Sequence, residues 1–431
     1  MRRLRARVRG GEVDGSGWNA ERVVQESRGI QDQLVQWRRH LHENPEVGTE
    51  TPETAAYVAA ALRDIGLAVR EGVGGHGVVA VLQGGGLGVS RVPGGSGGPV
   101  RTFAVRADMD ALSIQEETGL AFASKRPGKM HACGHDGHTA MALGAAKVLS
   151  LAKEHLAGNV KFIFQPAEEG PGGAKPMIED GVLDDPKVNA IIGLHMGVLW
   201  DVPSGSVGVM PGPMMAAMDR FEMVVKGQGG HGAMPHQAID AVCAASQLVT
   251  ALQTIVSRRV NPLAPAVVTV GKFHAGTAFN IIAATAALEG TVRCLDEGLR
   301  KRMPEYIREI AEGVCRGMGA ECELSYFWGY PVLENDCAFT EFFAGVARDV
   351  LGADRVARLP EPTMGGEDMA YYLREVPGTF FFLGSRPSSG PVHPHHNSKF
   401  DIDEGTLWTG AALLAETARR WLESGETQVR N

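Results

Sequence analysis

His138-Thr-Ala-Met-Ala-Leu-Gly-Ala-Ala-Lys-Val-Leu-Ser-Leu-Ala-Lys-Glu-His-Leu156 is followed, after two residues, by Asn159-Val-Lys-Phe-Ile-Phe164 and then Gln165-Pro166. The first run is alanine-rich and long enough for several helical turns. The second is a short apolar run closed by a turn, which reads as a buried strand. A further apolar run, 189–194, ends at His195. Strands alternating with helices, with polar residues at the strand ends, describe an α/β sheet that carries its site along one edge.

Upstream, 31–43 and 52–65 read as amphipathic helices, the second with Thr51 as its N-cap. Residues 77–82 and 101–106 are β-like, and 84–98 between them are very rich in glycine. That stretch is not a phosphate cradle, because no Lys-Ser/Thr pair follows and no helix opens there. It reads as a flexible hairpin tip. Residues 1–9 hold five arginines with no apolar stretch after them, so they form no secretory signal. Residues 1–25 are expected to be a disordered tail, with the ordered chain beginning near Glu26.

Downstream, the pattern changes after Pro211-Gly212-Pro213. Strand-like runs at 220–226, 266–273 and 286–294 alternate with helical ones at 239–256 and 300–316. Two β-α-β-like passes in this length suit a small α/β sandwich. The expected architecture is a discontinuous first domain, 26–211 and 326–425, interrupted by an insert of 212–325.

A chain of 431 residues is too long for one ordinary core, which agrees with two domains. Its 44% hydrophobic and 21% charged residues are those of a globular protein, and no apolar run is long enough to span a membrane. A net charge of -8 argues against wrapping nucleic acid. Six cysteines are too sparse for a disulfide scaffold and read as reduced thiols, so the cytoplasm is the expected compartment.

Metal-capable side chains recur beside glycines and at strand ends: Asp108-Met-Asp110, His131-Ala-Cys133-Gly-His135-Asp136-Gly-His138, Glu168-Glu169, His195, and His393-Pro-His395-His396. A thiolate and an imidazole two residues apart suit zinc, manganese, cobalt or nickel, whereas magnesium and calcium prefer oxygen alone. Consecutive Glu168 and Glu169 leave a strand toward different sides. One can therefore bind metal while the other takes a proton from water, whose pKa a metal lowers from ~16 toward ~7.

Four strings carry a family resemblance: Arg106-Ala-Asp-Met-Asp-Ala-Leu112, Met130-His-Ala-Cys-Gly-His-Asp-Gly-His138, Gln165-Pro-Ala-Glu-Glu-Gly170 and Met364-Gly-Gly-Glu-Asp368. They resemble the M20 metallopeptidase family over about residues 28–422, and within it the amidohydrolase branch of hippurate hydrolases, N-acyl-amino-acid amidohydrolases and auxin-conjugate hydrolases. The resemblance implies a zinc-exopeptidase-type catalytic domain with a ferredoxin-like lid and dimerisation domain. It makes Cys133, His135, Glu169, His195 and His396 the ligands of two divalent ions, Glu168 the general base, and Asp110 the acid that orients a liganding histidine. Asp108 stands where many M20 peptidases place a histidine ligand. Gly227-Gln-Gly-Gly-His-Gly232 implies that His231 reaches an active site across a homodimer to polarise the scissile carbonyl, and Gly276-Thr-Ala-Phe-Asn280 that Asn280 contacts substrate. Ser113 and Ser398 depart from the family's usual prolines.

The implied activity is hydrolysis of small N-acyl amino acids to an acid and an amino acid. The rivals are an M20 dipeptidase or carboxypeptidase, and a metal-binding homologue without catalysis. Trp37, His40 and His42 read as packing or surface residues, and Glu367-Asp368 as support behind the ligands or a cap for Met369.

Overall fold

The computed structural model describes residues 17–86 and 100–424. The arginine-rich start and most of the glycine-rich stretch lie outside the described residues. The chain opens with helices α1 (Ala20–Gly29), α2 (Gln31–Glu43) and α3 (Pro52–Asp64), then strands β1 (Ala68–Val73), β2 (Gly77–Leu82) and β3 (Thr102–Asp108). Helix α4 (His135–Leu151), β4 (Asn159–Gln165), α5 (Ala174–Glu179), β5 (Ala190–Gly197) and β6 (Val207–Val209) follow.

Two expectations near the start are corrected. Helix α1 begins at Ala20, well inside the expected tail, because the Asn19 side chain accepts the Arg22 N–H and Val23 and Ser27 are buried. Thr51 does precede α3, but its side chain makes no capping bond. The Thr54 N–H donates instead to the Glu46 carboxylate at 2.7 Å, so a distant acid does the capping.

The middle of the chain runs through β7 (Gly212–Met215), β8 (Ala217–Lys226), β9 (Gly230–His231), α6 (Ala241–Thr254), β10 (Ala266–Ala275), β11 (Ile281–Ile282), β12 (Thr285–Cys294), α7 (Glu297–Gly317) and β13 (Glu321–Tyr330). It closes with β14 (Leu333–Asn335), α8 (Cys337–Leu351), β15 (Val356–Arg358), α9 (Met369–Glu375), β16 (Gly378–Gly384) and α10 (Leu407–Glu423). Among the described residues no helix is long and apolar enough to cross a membrane.

The large sheet has the order β1-β2-β4-β3-β5-β16-β6-β15. β4, β3, β5 and β16 run parallel and are buried along their whole lengths, as expected of strands covered on both faces. One face packs its core against α1 to α4, α8 and α10, and the other packs against residues of α5 and α9. From β3 the chain passes to β4 on one side and then crosses to β5 on the other. This reversal puts the carboxyl ends of three parallel strands around one crevice.

The insert is a second, antiparallel sheet in the order β10-β12-β8-β13. Counted within the insert, this is the second-third-first-fourth arrangement of a ferredoxin-like βαββαβ unit. β8 alternates buried and partly exposed residues, so one face meets α6 and α7 while the other is more open.

Candidate metal centre and active site

Helix α4 starts three residues earlier than the sequence pattern suggests, at His135. Gly134, with φ +92°, turns the chain from the Cys133 segment into the helix, a conformation that glycine adopts at no steric cost. His135, Asp136 and His138 thereby fall in the first turn, fully buried, at the carboxyl edge of the sheet.

Glu168 and Glu169 sit on the turn after β4, where Ala167 has φ +61°. A non-glycine residue in that region is strained and needs support from its surroundings. Asp110 supplies it: its carboxylate accepts the Glu168 N–H at 2.9 Å and the Glu169 N–H at 3.2 Å. The resemblance implies that Asp110 orients a liganding histidine. Its main-chain carbonyl accepts from His135 Nδ1 at 2.9 Å, and a carboxylate oxygen lies 3.6 Å from the same nitrogen. Tyr330, the last residue of β13, donates its hydroxyl to the Glu168 carbonyl at 2.7 Å and ties the insert's final strand to this turn.

The four buried or half-buried imidazoles at this edge sort by tautomer, because a carbonyl only accepts and a main-chain N–H only donates. His135 gives its Nδ1 proton to Asp110 and His195 gives its own to the Met196 carbonyl at 2.9 Å, so each turns Nε2 toward the cluster. His138 behaves oppositely. Its Nε2 accepts the Met196 N–H at 2.9 Å, which leaves the proton on Nδ1, donated to Asp108 at 2.6 Å. His395 likewise accepts the Val198 N–H on Nε2 at 3.1 Å and presents Nδ1 to the Cys133 sulfur at 3.6 Å.

The expected ligand residues come together. The ligand atoms of Cys133, His135 and Glu169 all lie within 4.8 Å of one another, as do those of Cys133, His195 and His395. His195 Nε2 is 3.4 Å from the Cys133 sulfur, and His396 Nε2 is 3.2 Å from Glu169 Oε1. His396 has φ +63°, a turn that sends His395 and His396 to different partners. Glu168 lies with Glu367 and Asp368 and also comes within 3.9 Å of His135 Nε2.

This set of residues fits divalent metal. His135 Nε2 is buried with no hydrogen-bond partner. Burial and then Glu169 and Glu168 push the Cys133 thiol well above its usual range, so a thiolate there requires a neighbouring cation. Burial disfavours charge on His135, yet Asp108 and Asp110 outweigh it and hold its pKa up to about 10. In the absence of metal a proton occupies the position a cation would take. Asp108, Asp110, Glu168, Glu169, Glu367 and Asp368 crowd this edge, with Arg106 bonded to Asp108 and Asp368 at 2.7 Å each. Burial and the neighbouring Glu367 and Glu169 push the Glu168 carboxyl well above the usual range.

His231 and Asn280 are brought to each other rather than to this cluster. His231 pairs with Ile281 in the β9–β11 ribbon, the Gly232 N–H donates to the Asn280 carbonyl at 2.9 Å, and both residues are exposed. The contacts described for His231 are all within the insert. Its Nδ1 accepts the Ala233 N–H at 3.0 Å, which leaves Nε2 as the donor.

Sequence reading missed a second tier. Arg38 bridges Asp136, Asp401 and Glu404, and His42 bonds Asp136 at 2.8 Å and Glu116 at 3.3 Å, both fully buried. An arginine and a histidine four residues apart on one helix were the available signal, and nothing local named their acidic partners. Glu367 does cap Met369, accepting its N–H at 2.9 Å, while Asp368 accepts from Gln165, Gly173 and Ala174. Ser398 bonds Glu117 through its hydroxyl at 2.7 Å, a contact that the family's usual proline cannot make.

The sequence model of Peptidase family M20/M25/M40 matches residues 104–420. The chain is 41% identical to the N-acetyl-L-cysteine deacetylase of Bacillus subtilis over 398 residues, covering 92% of this chain and 90% of that one. It is 40% identical to thermostable carboxypeptidase 1 of Saccharolobus solfataricus over 402 residues, covering 92% and 98%. Among solved structures, the Bacillus subtilis YXEP protein, a dinuclear metal binding peptidase from the M20 family, superimposes with a TM-score of 0.78 at 36% identity, covering 92% of this chain and 99% of that one.

Proposed function

This chain belongs to peptidase family M20/M25/M40, and we propose from that membership that it is a metal-dependent amidohydrolase. It cleaves the amide bond of N-acyl amino acids, giving a carboxylic acid and an amino acid. The observation that carries the reading is the pair of adjacent carboxylates held apart by Asp110. Glu169 faces Cys133, His135 and His396, and Glu168 lies against Glu367 and Asp368 with one oxygen 3.9 Å from His135 Nε2.

In this reading Cys133, His135, Glu169, His195 and His396 would hold two divalent ions, and manganese, zinc, cobalt and nickel all suit these donors. Bound there, the ions supply Lewis-acid polarisation of the scissile carbonyl and a water acidic enough to ionise near neutrality. Glu168 takes the proton of the attacking water and returns it to the departing amine nitrogen, and its burial keeps the carboxyl basic enough to do so. Asp110 fixes the angle between the two glutamates through their N–H groups. His231 acts from the partner of a homodimer formed through the insert, and Asn280, beside it in the fold, contacts substrate. The outward Nε2–H of His231 is the donor for the developing oxyanion. Free cysteines throughout suit a reducing compartment, and we read the cytoplasm as its place of work.

A peptidase acting on small peptides is the second reading, favoured by the likeness to a carboxypeptidase. One assay separates the two: release of amino acid from hippurate, N-acetyl-amino acids and free dipeptides by metal-loaded protein, wild type beside Glu168→Gln. Turnover of the acylated substrates, abolished by chelator and by the substitution, supports the amidohydrolase. Cleavage of dipeptides alone overturns it in favour of the peptidase.

A further inference from the structure

We propose that His395 is a positioning residue that donates a hydrogen bond to the Cys133 sulfur and holds it as a thiolate ligand, without binding metal itself. The inference rests on the metal-centre reading above. Distance alone allows the opposite, since Cys133, His195 and His395 offer ligand atoms within 4.8 Å of one another. The hydrogen-bond inventory decides between them.

For Nδ1 of His395 to bind a cation, its lone pair must be free and the proton must sit on Nε2. That nitrogen faces the Val198 N–H at 3.1 Å. Two donors would then point at each other. The tautomer that satisfies Val198 carries the proton on Nδ1, aimed at sulfur 3.6 Å away. His135 and His195 are wired the other way, with Nδ1 spent on a carbonyl and Nε2 left for the cluster.

The seat of the ring is built for this pose. A side chain at Gly197 would meet the His395 ring at 2.1 Å, so the absence of a Cβ there lets the imidazole lie against the strand end. Phe400 packs beside it at 4.6 Å between ring centroids, and His195 meets it edge-on at 5.0 Å. The turn at His396 then directs the next histidine to Glu169 instead. Partners of liganding groups are what fix ligand orientation and charge, and donation to a thiolate tempers its electron density.

Cobalt(II) is the probe, because a cobalt–thiolate charge-transfer band reports directly on the sulfur. Wild-type protein is expected to bind two equivalents and to show the band. His395→Phe keeps the ring shape without a donor or a ligand. It is expected to bind two equivalents still, about 10-fold to 100-fold more weakly, with the band moved to longer wavelength. His395→Asn, which retains an N–H near the Nδ1 position, is expected to return the band toward that of wild type and guards against a misfolded phenylalanine variant. Loss of one cobalt equivalent in both variants would make His395 a ligand and overturn the proposal. An unmoved band in His395→Phe, or an asparagine variant indistinguishable from it, overturns it as well. Absence of any thiolate band in the wild type would instead sink the metal-centre reading, and this inference with it.

Discussion

Arg38 donates Nε to the Asp136 carboxylate at 2.8 Å, with both side chains 1% exposed. The same guanidinium reaches Asp401 at 3.0 Å and Glu404 at 3.1 Å. One buried cation therefore joins the α4 terminus that carries His135 to the segment that follows His396. Burial opposes ionisation of Asp136, but Arg38 and then His42 hold it well below the usual carboxylate range. Its contribution to stability is present above pH about 4 and is lost only as strong acid protonates it in the fold.

Arg38→Ala leaves Asp136 charged in the interior with only His42 beside it, and breaking such a pair costs about 3–5 kcal/mol. Urea unfolding at neutral pH should show a loss of that size. Arg38→Lys should recover only part of it, because an ammonium cannot span three carboxylates as a planar fork does. A loss below about 1 kcal/mol for the alanine variant would mean that this bridge does not hold α2 to α4.

Asp110→Asn is nearly isosteric, yet it turns one of two acceptors into a donor facing the Glu168 or Glu169 N–H. An unsatisfied buried donor costs about 1–3 kcal/mol. With the glutamates no longer fixed, metal affinity or turnover should fall about 10-fold to 100-fold. Calorimetry of metal binding beside steady-state kinetics checks this. Unchanged kinetics with reduced stability would reduce Asp110 to a purely structural role.

Metal uptake should strengthen as pH rises. In the absence of metal His135 is held protonated, against burial, up to about pH 10 by Asp108 and Asp110, and burial and the two glutamates push the Cys133 thiol well above its usual range. Each must give up its proton on binding, so apparent affinity rises with pH, and proton release should be measurable in a weakly buffered titration. Affinity that is flat between pH 6 and 8, near the ordinary histidine range, would argue that neither group is a ligand.

Mixed dimers test the partner-subunit role of His231. Glu168→Gln and His231→Ala subunits should each be nearly inactive alone. Random reassociation gives heterodimers in which one site has both groups intact, so about a quarter of wild-type activity should return. No recovery, with exchange verified by mass, would place His231 outside the partner's site.

The sequence by itself determined the α/β alternation around β3, α4, β4 and β5, since continuous apolar runs closed by turns have no other economical arrangement. Its short strings also singled out Cys133, His135 and the two glutamates as metal-capable, and the family resemblance of those strings implied their roles. Tertiary structure alone decided which way His135, His138 and His395 turn, for that depends on the Asp110 carbonyl and on the Met196 and Val198 N–H groups that the fold carries to them. It likewise decided the partners of Arg38 and His42, which lie as much as 366 residues away in sequence. A side chain's type fixes what it can bind, but a buried charge or tautomer is set by whichever opposite group the fold carries to it.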